Sequence, residues 1–235
     1  MPTEKPDFGT IAGNTAIARS KISRPTRELI SSGRIPKGAS VLNHGRGRAD
    51  ADAAALASAA AEYAEYDPNH APHPEALERR YDVVVSNYVL NVLPAEIRKH
   101  AWEDIARTTG GVAYITVRST GDKSIYAGKK YKDGYRMARG TFQKPFTAVG
   151  LTREAKRYFN NVEVISGTKG GISWTIAASD PKISGKGEPE TPEQRDKPAT
   201  AAKAKDQKDA ANAHIDAQDE VEIARIKELA GMTEK

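Results

Sequence analysis

Three consecutive valines constrain this chain more than any other stretch. In Tyr81-Asp82-Val83-Val84-Val85-Ser86-Asn87 successive side chains of a strand point to opposite faces, so the valines put branched carbon on both. A strand that is apolar on both faces has to be covered on both. That places it in the middle of a mainly parallel sheet with helices above and below. A parallel neighbour needs a crossover, and the chain supplies one. The spacing of Ile97, Trp102 and Ile105 predicts a helix from Ala95 to Thr108, and Gly110-Gly111 then opens a strand from Val112 to Val117.

The same logic runs upstream. Ser40-Val41-Leu42-Asn43 reads as a strand, His44-Gly45-Arg46-Gly47-Arg48-Ala49 as a glycine turn, and Asp50 to Ala61 as an alanine-rich helix. Glycine lets the backbone turn sharply and lets a ligand approach the main chain. The helix that follows points its free N–H groups at such a ligand. Many strand–helix turns carry glycine for geometry alone, and the turn by itself allows both readings. A second strand, Glu62 to Asp67, ends at Pro68-Asn69. A carboxylate about twenty positions after a glycine turn, at a strand tip, can accept from two ribose hydroxyls. Asp67 is that candidate, ahead of Glu65; the alternative is a plain Asp-Pro-Asn turn.

Around this core the chain has 235 residues, a net charge of +5 and only 38% hydrophobic residues, so part of it does not pack. Cysteine is absent, which excludes thiolate nucleophiles, disulfides and cysteine metal sites and suits a reducing cytoplasm. No run reaches membrane-spanning length and residues 1–13 lack an apolar signal core, so a cytoplasmic protein without membrane contact is expected. Residues 1–36 read as an N-terminal extension, loosely attached up to residue 13, with a short helix from Pro25 to Ser32. Its Arg19, Lys21, Arg24, Arg27, Arg34 and Lys37 read as a solvated basic face more readily than as ligand contacts.

His70 and His73 have no further ligands at a recognisable spacing, and no metal is expected. A short turn is expected over Glu75 to Arg80. Residues 119–147 are a long basic loop in which Lys129, Lys130 and Lys132 are interleaved with Tyr126, Tyr131 and Tyr135. Such a segment is either a solvated loop or a nucleic-acid contact in which lysines meet phosphates and tyrosines stack on bases. Lys129, Lys130, Tyr131 and Lys132 are the substrate-side candidates. A helix from Leu151 to Phe159, capped by Thr152, precedes a hairpin of Val162 to Ser166 and Ile172 to Ala178. Beyond the domain, taken as 37–180, residues 181–209 read as a charged linker. Residues 210–235 read as a sparse helix that could pair with a protein partner.

Taken together, these pieces resemble class I S-adenosylmethionine-dependent methyltransferases. More narrowly they resemble the methyltransferases associated with DNA phosphorothioation and their phage relatives. The matching stretches are Thr15-Ala16-Ile17 with Ser23-Arg24-Pro25, Val41 to Arg48, Tyr66-Asp67-Pro68, Asn87-Tyr88-Val89-Leu90-Asn91-Val92 and Gly140-Thr141-Phe142-Gln143-Lys144. The resemblance implies a Rossmann-like three-layer α/β sandwich, mainly parallel, with strand order 3-2-1-4-5-7-6 and a C-terminal antiparallel hairpin. The gap between Asp67 and Tyr81 is too short for a full third strand, so a trimmed sheet is expected.

The resemblance also implies S-adenosylmethionine as cofactor. Gly45 and Gly47, with Arg46 between them, would pass under its methionine part. Asp67, beside Pro68, would hold the ribose, and Asn87, Tyr88 and Leu90 would line the methyl-donor side. The family motif D-x-G-C-G-x-G is altered, with Asn43 for the acid, Arg46 for the cysteine and Ala49 for the last glycine. Asn43 can still accept from the cofactor's amino group, with weaker attraction than a carboxylate. No catalytic base is assigned, because a sulfonium is already a good leaving group. Two functions follow: a methyltransferase acting on nucleic acid or a related substrate, or a catalytically degenerate relative serving as a binding module.

Overall fold

The structure, a computed structural model, describes residues 8–182. The helix expected over 210–235 and all but the first two residues of the linker lie outside the described residues. The elements in chain order are α1 (Phe8–Gly13), α2 (Arg24–Ser31), β1 (Ser40–His44), α3 (Asp50–Ala59) and β2 (Glu62–Tyr66). Then come β3 (Tyr81–Asn87), α4 (Ala95–Thr108), β4 (Thr109–Arg118), β5 (Lys129–Tyr131), β6 (Gly134–Arg136), β7 (Phe142–Gln143), α5 (Ala148–Ala155), β8 (Phe159–Ser166) and β9 (Ser173–Pro181).

The main sheet has the order β2-β1-β3-β4-β9-β8. Strands β2, β1, β3 and β4 are mutually parallel, while β9 runs antiparallel to β4 and to β8. Among the described residues this is the order 3-2-1-4-5-7-6 that the resemblance implied, without its outermost strand. Between Asp67 and Tyr81 the chain forms one 3-10 turn, Pro74–Leu77, which leaves β2 at the edge.

The valine triplet does what its sequence requires. Val83 and Val85 pack with Leu29 of α2 and Leu56 of α3, while Val84 packs on the opposite side with Trp102 and Ile105 of α4 and Leu151 of α5. Two apolar layers therefore sandwich one sheet, and all three valines are at most 1% exposed.

Three expectations are corrected. Residues 8–13, read as loose, form α1. The cap of α5 is Thr147, whose hydroxyl accepts from Gly150 N–H at 2.9 Å; Thr152 lies inside the helix. Residues 119–147 are structured: a 3-10 turn, Lys123–Ala127, leads into a three-stranded antiparallel sheet, β5-β6-β7. The tip of that sheet is clamped to the body by a buried charge cluster. Arg98, with its side chain 4% exposed, pairs with Asp133 and, at 3.0 Å, with Glu154. Its Nη1 donates to the Leu93 carbonyl at 2.7 Å, and Lys144 reaches Asp133 at 3.1 Å. The lysine count of the segment hid this, because the anchoring acid is a single aspartate in the turn.

Candidate functional site

The carboxyl ends of β1 and β3 flank the place where the strand order turns back, with β2 on one side and β4 on the other. Crevices form at such switch points because successive crossovers leave in opposite directions. The glycine turn stands there. Gly45 N–H and Arg46 N–H both donate to the Tyr66 carbonyl, at 2.7 and 3.2 Å, which holds the turn against the end of β2. Gly45 and Gly47 have φ of +72° and +59°, a region that strains any residue with a β-carbon.

Asp67 makes the turn that its sequence allowed and also meets the glycine turn. One carboxylate oxygen, Oδ1, accepts from Asn69 N–H at 2.8 Å and His70 N–H at 3.0 Å, which makes the Asp-Pro-Asn turn. The other, Oδ2, accepts from Gly47 N–H at 2.9 Å, so the acid and the glycine turn adjoin. Pro68 is exposed at the crest of that turn. The N-terminal extension closes over the same place. His70 Nε2 lies 3.0 Å from the Gly13 carbonyl, and the Ala16 methyl sits 3.4 Å from where a Gly47 β-carbon would be.

At the tip of β3, Asn87 Nδ2 donates to Thr26 Oγ1 of α2 at 3.1 Å, while Asn87 Oδ1 is buried without a partner. An orphaned acceptor at a strand tip is a place for a ligand's N–H or O–H. Tyr88 follows at φ +62°, a strained conformation for an aromatic residue, held by its N–H donating to the Thr116 carbonyl at 2.7 Å. Burial pushes the Tyr88 phenol above its usual pKa. The Ser173 side chain and the charges of Arg19, Arg118 and Arg24 act against that shift.

Leu90 is corrected: it is 0% exposed within the main core, packed with Leu42, Val84 and Trp102, and lines no surface. The residue of this stretch that meets the glycine turn is Val89. A β-carbon at Gly45 would overlap its Cγ2 and lie 3.3 Å from its Cβ and Cγ1. Sequence reading missed Val89 and Thr26, because each matters through a neighbour on a distant element.

Asn43 is buried, and its Nδ2 donates to the Tyr63 hydroxyl at 3.1 Å. Arg46 turns away along β2 and α3, reaching Glu65 at 3.3 Å and Asp50 at 2.6 Å.

The lysine candidates belong to the small sheet. It adjoins the β3 tip through Asn91, whose Nδ2 donates to Gln143 Oε1 at 3.1 Å and whose carbonyl accepts from Lys144 N–H at 2.7 Å. Lys129 and Lys130 are exposed on β5, with Lys130 Nζ 5.3 Å from the Tyr135 ring centre. Lys132 is paired with Glu96 of α4 and lies 5.5 Å from the Tyr131 ring, so three of the four candidates, Lys130, Tyr131 and Lys132, also make contacts within the protein. Tyr126 and Tyr135 meet edge to face at 5.2 Å, and Lys123 lies 5.8 Å from the Tyr126 ring. Among the described residues, no group of three His, Asp or Glu side chains converges as metal ligands.

No family model and no curated protein matches the chain. Solved structures do. The 1,6-didemethyltoxoflavin-N1-methyltransferase of Burkholderia thailandensis, with 1,6-didemethyltoxoflavin and S-adenosylhomocysteine bound, is 16% identical, over 66% of this chain and 76% of its own, with a TM-score of 0.47. The magnesium protoporphyrin IX methyltransferase of Synechocystis PCC 6803, with S-adenosylmethionine bound, is 13% identical, over 76% of this chain and 99% of its own, also at 0.47. An O-methyltransferase family protein of B. thailandensis is 12% identical, over 68% of this chain and 57% of its own, at 0.46.

Proposed function

We propose that this chain is an S-adenosylmethionine-dependent methyltransferase acting on nucleic acid or a related substrate. The observation that carries the reading is the Asp67 carboxylate lying 2.9 Å from Gly47 N–H at the switch point of the sheet. In sites of this kind an acid at the second strand tip, beside the glycine turn, accepts from ribose hydroxyls. The orphaned Asn87 Oδ1 and the strained Tyr88 on the next strand tip add to the fit.

When bound, the cofactor supplies a methyl group on a sulfonium. The protein's part is to align an acceptor with it and to exclude water. In this reading Gly45 and Gly47 pass under the methionine part, Asp67 holds the ribose, Asn43 accepts from the amino group, and Asn87 and Tyr88 line the methyl-donor side. The β5–β7 module would present the acceptor, with Lys129 and Lys130 on phosphates and tyrosine rings on bases. The kinship with phosphorothioation-associated enzymes and their phage relatives, and the cytoplasmic location, belong to the same proposal. Among the described residues no helix is long and apolar enough to cross a membrane.

Calorimetric titration with S-adenosylmethionine tests the reading. Micromolar binding that is lost in Asp67→Ala is the expected result; no heat up to millimolar ligand would remove it. A second reading, a degenerate methyltransferase fold used as a binding module, is favoured by one observation. The Val89 side chain packs against Gly45, beneath the place where the family carries the methionine part. Nucleic-acid binding without cofactor binding would select it.

A further inference from the structure

The acid missing from the glycine motif has a counterpart on the neighbouring strand. In the parallel β1–β2 pair Asn43 is in register with Glu65. Tyr63 and Glu65 are two apart on β2 and so point to one face. The Tyr63 hydroxyl donates to Glu65 Oε2 at 2.8 Å, and the Asn43 amide donates to the same hydroxyl at 3.1 Å.

A phenol has one proton to give. Burial pushes the Tyr63 pKa up and the bond to Glu65 adds to the shift, so the proton stays on the phenol; the bond from Asn43 opposes without prevailing. With that proton committed to Glu65, the Tyr63 oxygen can only accept from Asn43. This fixes which end of the Asn43 amide faces Tyr63: the NH₂ end, leaving the carbonyl oxygen directed away. Among the described residues no hydrogen-bond donor reaches that oxygen. Arg46, at the family's cysteine position, donates through Nε to that same Glu65 Oε2 at 3.3 Å and is itself held by Asp50 at 2.6 Å.

We propose that Glu65, acting through Tyr63, is the positioning acid of this site and fixes the Asn43 carbonyl towards the ligand's ammonium group. The inference rests on the cofactor reading above. It also explains why residue 43 is an asparagine. An aspartate there would set two acceptors face to face at Tyr63 and place a second negative charge beside Glu65.

The test uses the full chain and two probes, S-adenosylhomocysteine and 5′-methylthioadenosine, which shares the nucleoside but lacks the amino-acid part. Tyr63→Phe and Glu65→Gln should each weaken S-adenosylhomocysteine about tenfold, the scale of a lost charge-assisted hydrogen bond. Methylthioadenosine affinity should stay unchanged. Independently of any ligand, Asn43→Asp should lower the melting temperature, and adding Glu65→Gln should restore it. Equal weakening of both probes would reduce Tyr63 and Glu65 to structural roles and overturn the proposal. So would unaltered S-adenosylhomocysteine binding in Tyr63→Phe, or an Asn43→Asp protein as stable as the parent. A parent chain that binds neither probe overturns the cofactor reading and this proposal with it, whereas binding indifferent to Tyr63 overturns the proposal alone.

Discussion

Replacing Gly45 by alanine separates the two reasons a chain keeps glycine in a strand–helix turn. Two penalties are built into the position. The backbone sits at φ +72°, where a β-carbon costs roughly 1–2 kcal/mol. The new methyl would also overlap Val89 Cγ2 and crowd its Cβ and Cγ1 at 3.3 Å. Val89 is packed against the main core and cannot simply swing aside. Forcing a methylene-sized group into such packing costs about 1–3 kcal/mol. Gly45→Ala should therefore destabilise the chain by about 3 kcal/mol, read as a lower urea midpoint by far-UV circular dichroism. Val89→Ala removes the obstacle and leaves the backbone term. In that background Gly45→Ala should cost only about 1–2 kcal/mol, so the cycle should show a coupling of about 1–2 kcal/mol. A Gly45→Ala penalty that is the same with and without Val89 would refute the packing account. The glycine would then be explained by backbone conformation and ligand approach alone.

The charge cluster under the small sheet gives a second test. Arg98→Met leaves Lys144 alone to balance the Asp133 and Glu154 carboxylates and should destabilise the chain by about 3 kcal/mol in urea unfolding; a loss below about 1 kcal/mol would count against the clamp. Burial raises the Asp133 pKa, but the charges of Arg98 and Lys144 outweigh it and hold the carboxyl below its usual range. Its contribution should therefore be complete above the unfolded value of about 3.9 and be lost as pH falls through the lower folded value. Melting temperatures of Asp133→Asn should lack that part of the acid dependence. If the module binds duplex DNA, Lys129→Ala with Lys130→Ala should flatten the dependence of log K on log salt by about 0.9 per charge. Lys132→Ala should flatten it less, since Lys132 is paired with Glu96.

Much of the sheet was written in local sequence. The valine triplet, the helix at Ala95–Thr108 and the strand at Ser40–His44 need no distant partner to be recognised, because periodicity and two-sided apolarity are properties of a short window. The trimmed third strand was also legible, since chain length alone forbids it. The glycine turn and Asp67 were legible as types of residue at a spacing. Their contact, Gly47 N–H on the Asp67 carboxylate, depends on β1 and β2 lying side by side in register.

What tertiary structure decided is the partner of each candidate. Leu90 looked like a pocket residue beside Tyr88, yet the turn after β3 sends it into the core and brings Val89 to Gly45. The basic stretch at 119–147 had the composition of a loop, and Asp133 became its anchor because Arg98, 35 positions earlier, is buried without any other way to balance its charge than nearby acids. In the same way Asn43 reads as a weakened motif until β2 sets Tyr63 and Glu65 beside it. Windows of sequence fix the direction and the faces of a strand; which side chains share charge and protons across strands is fixed by register, and register belongs to the folded sheet.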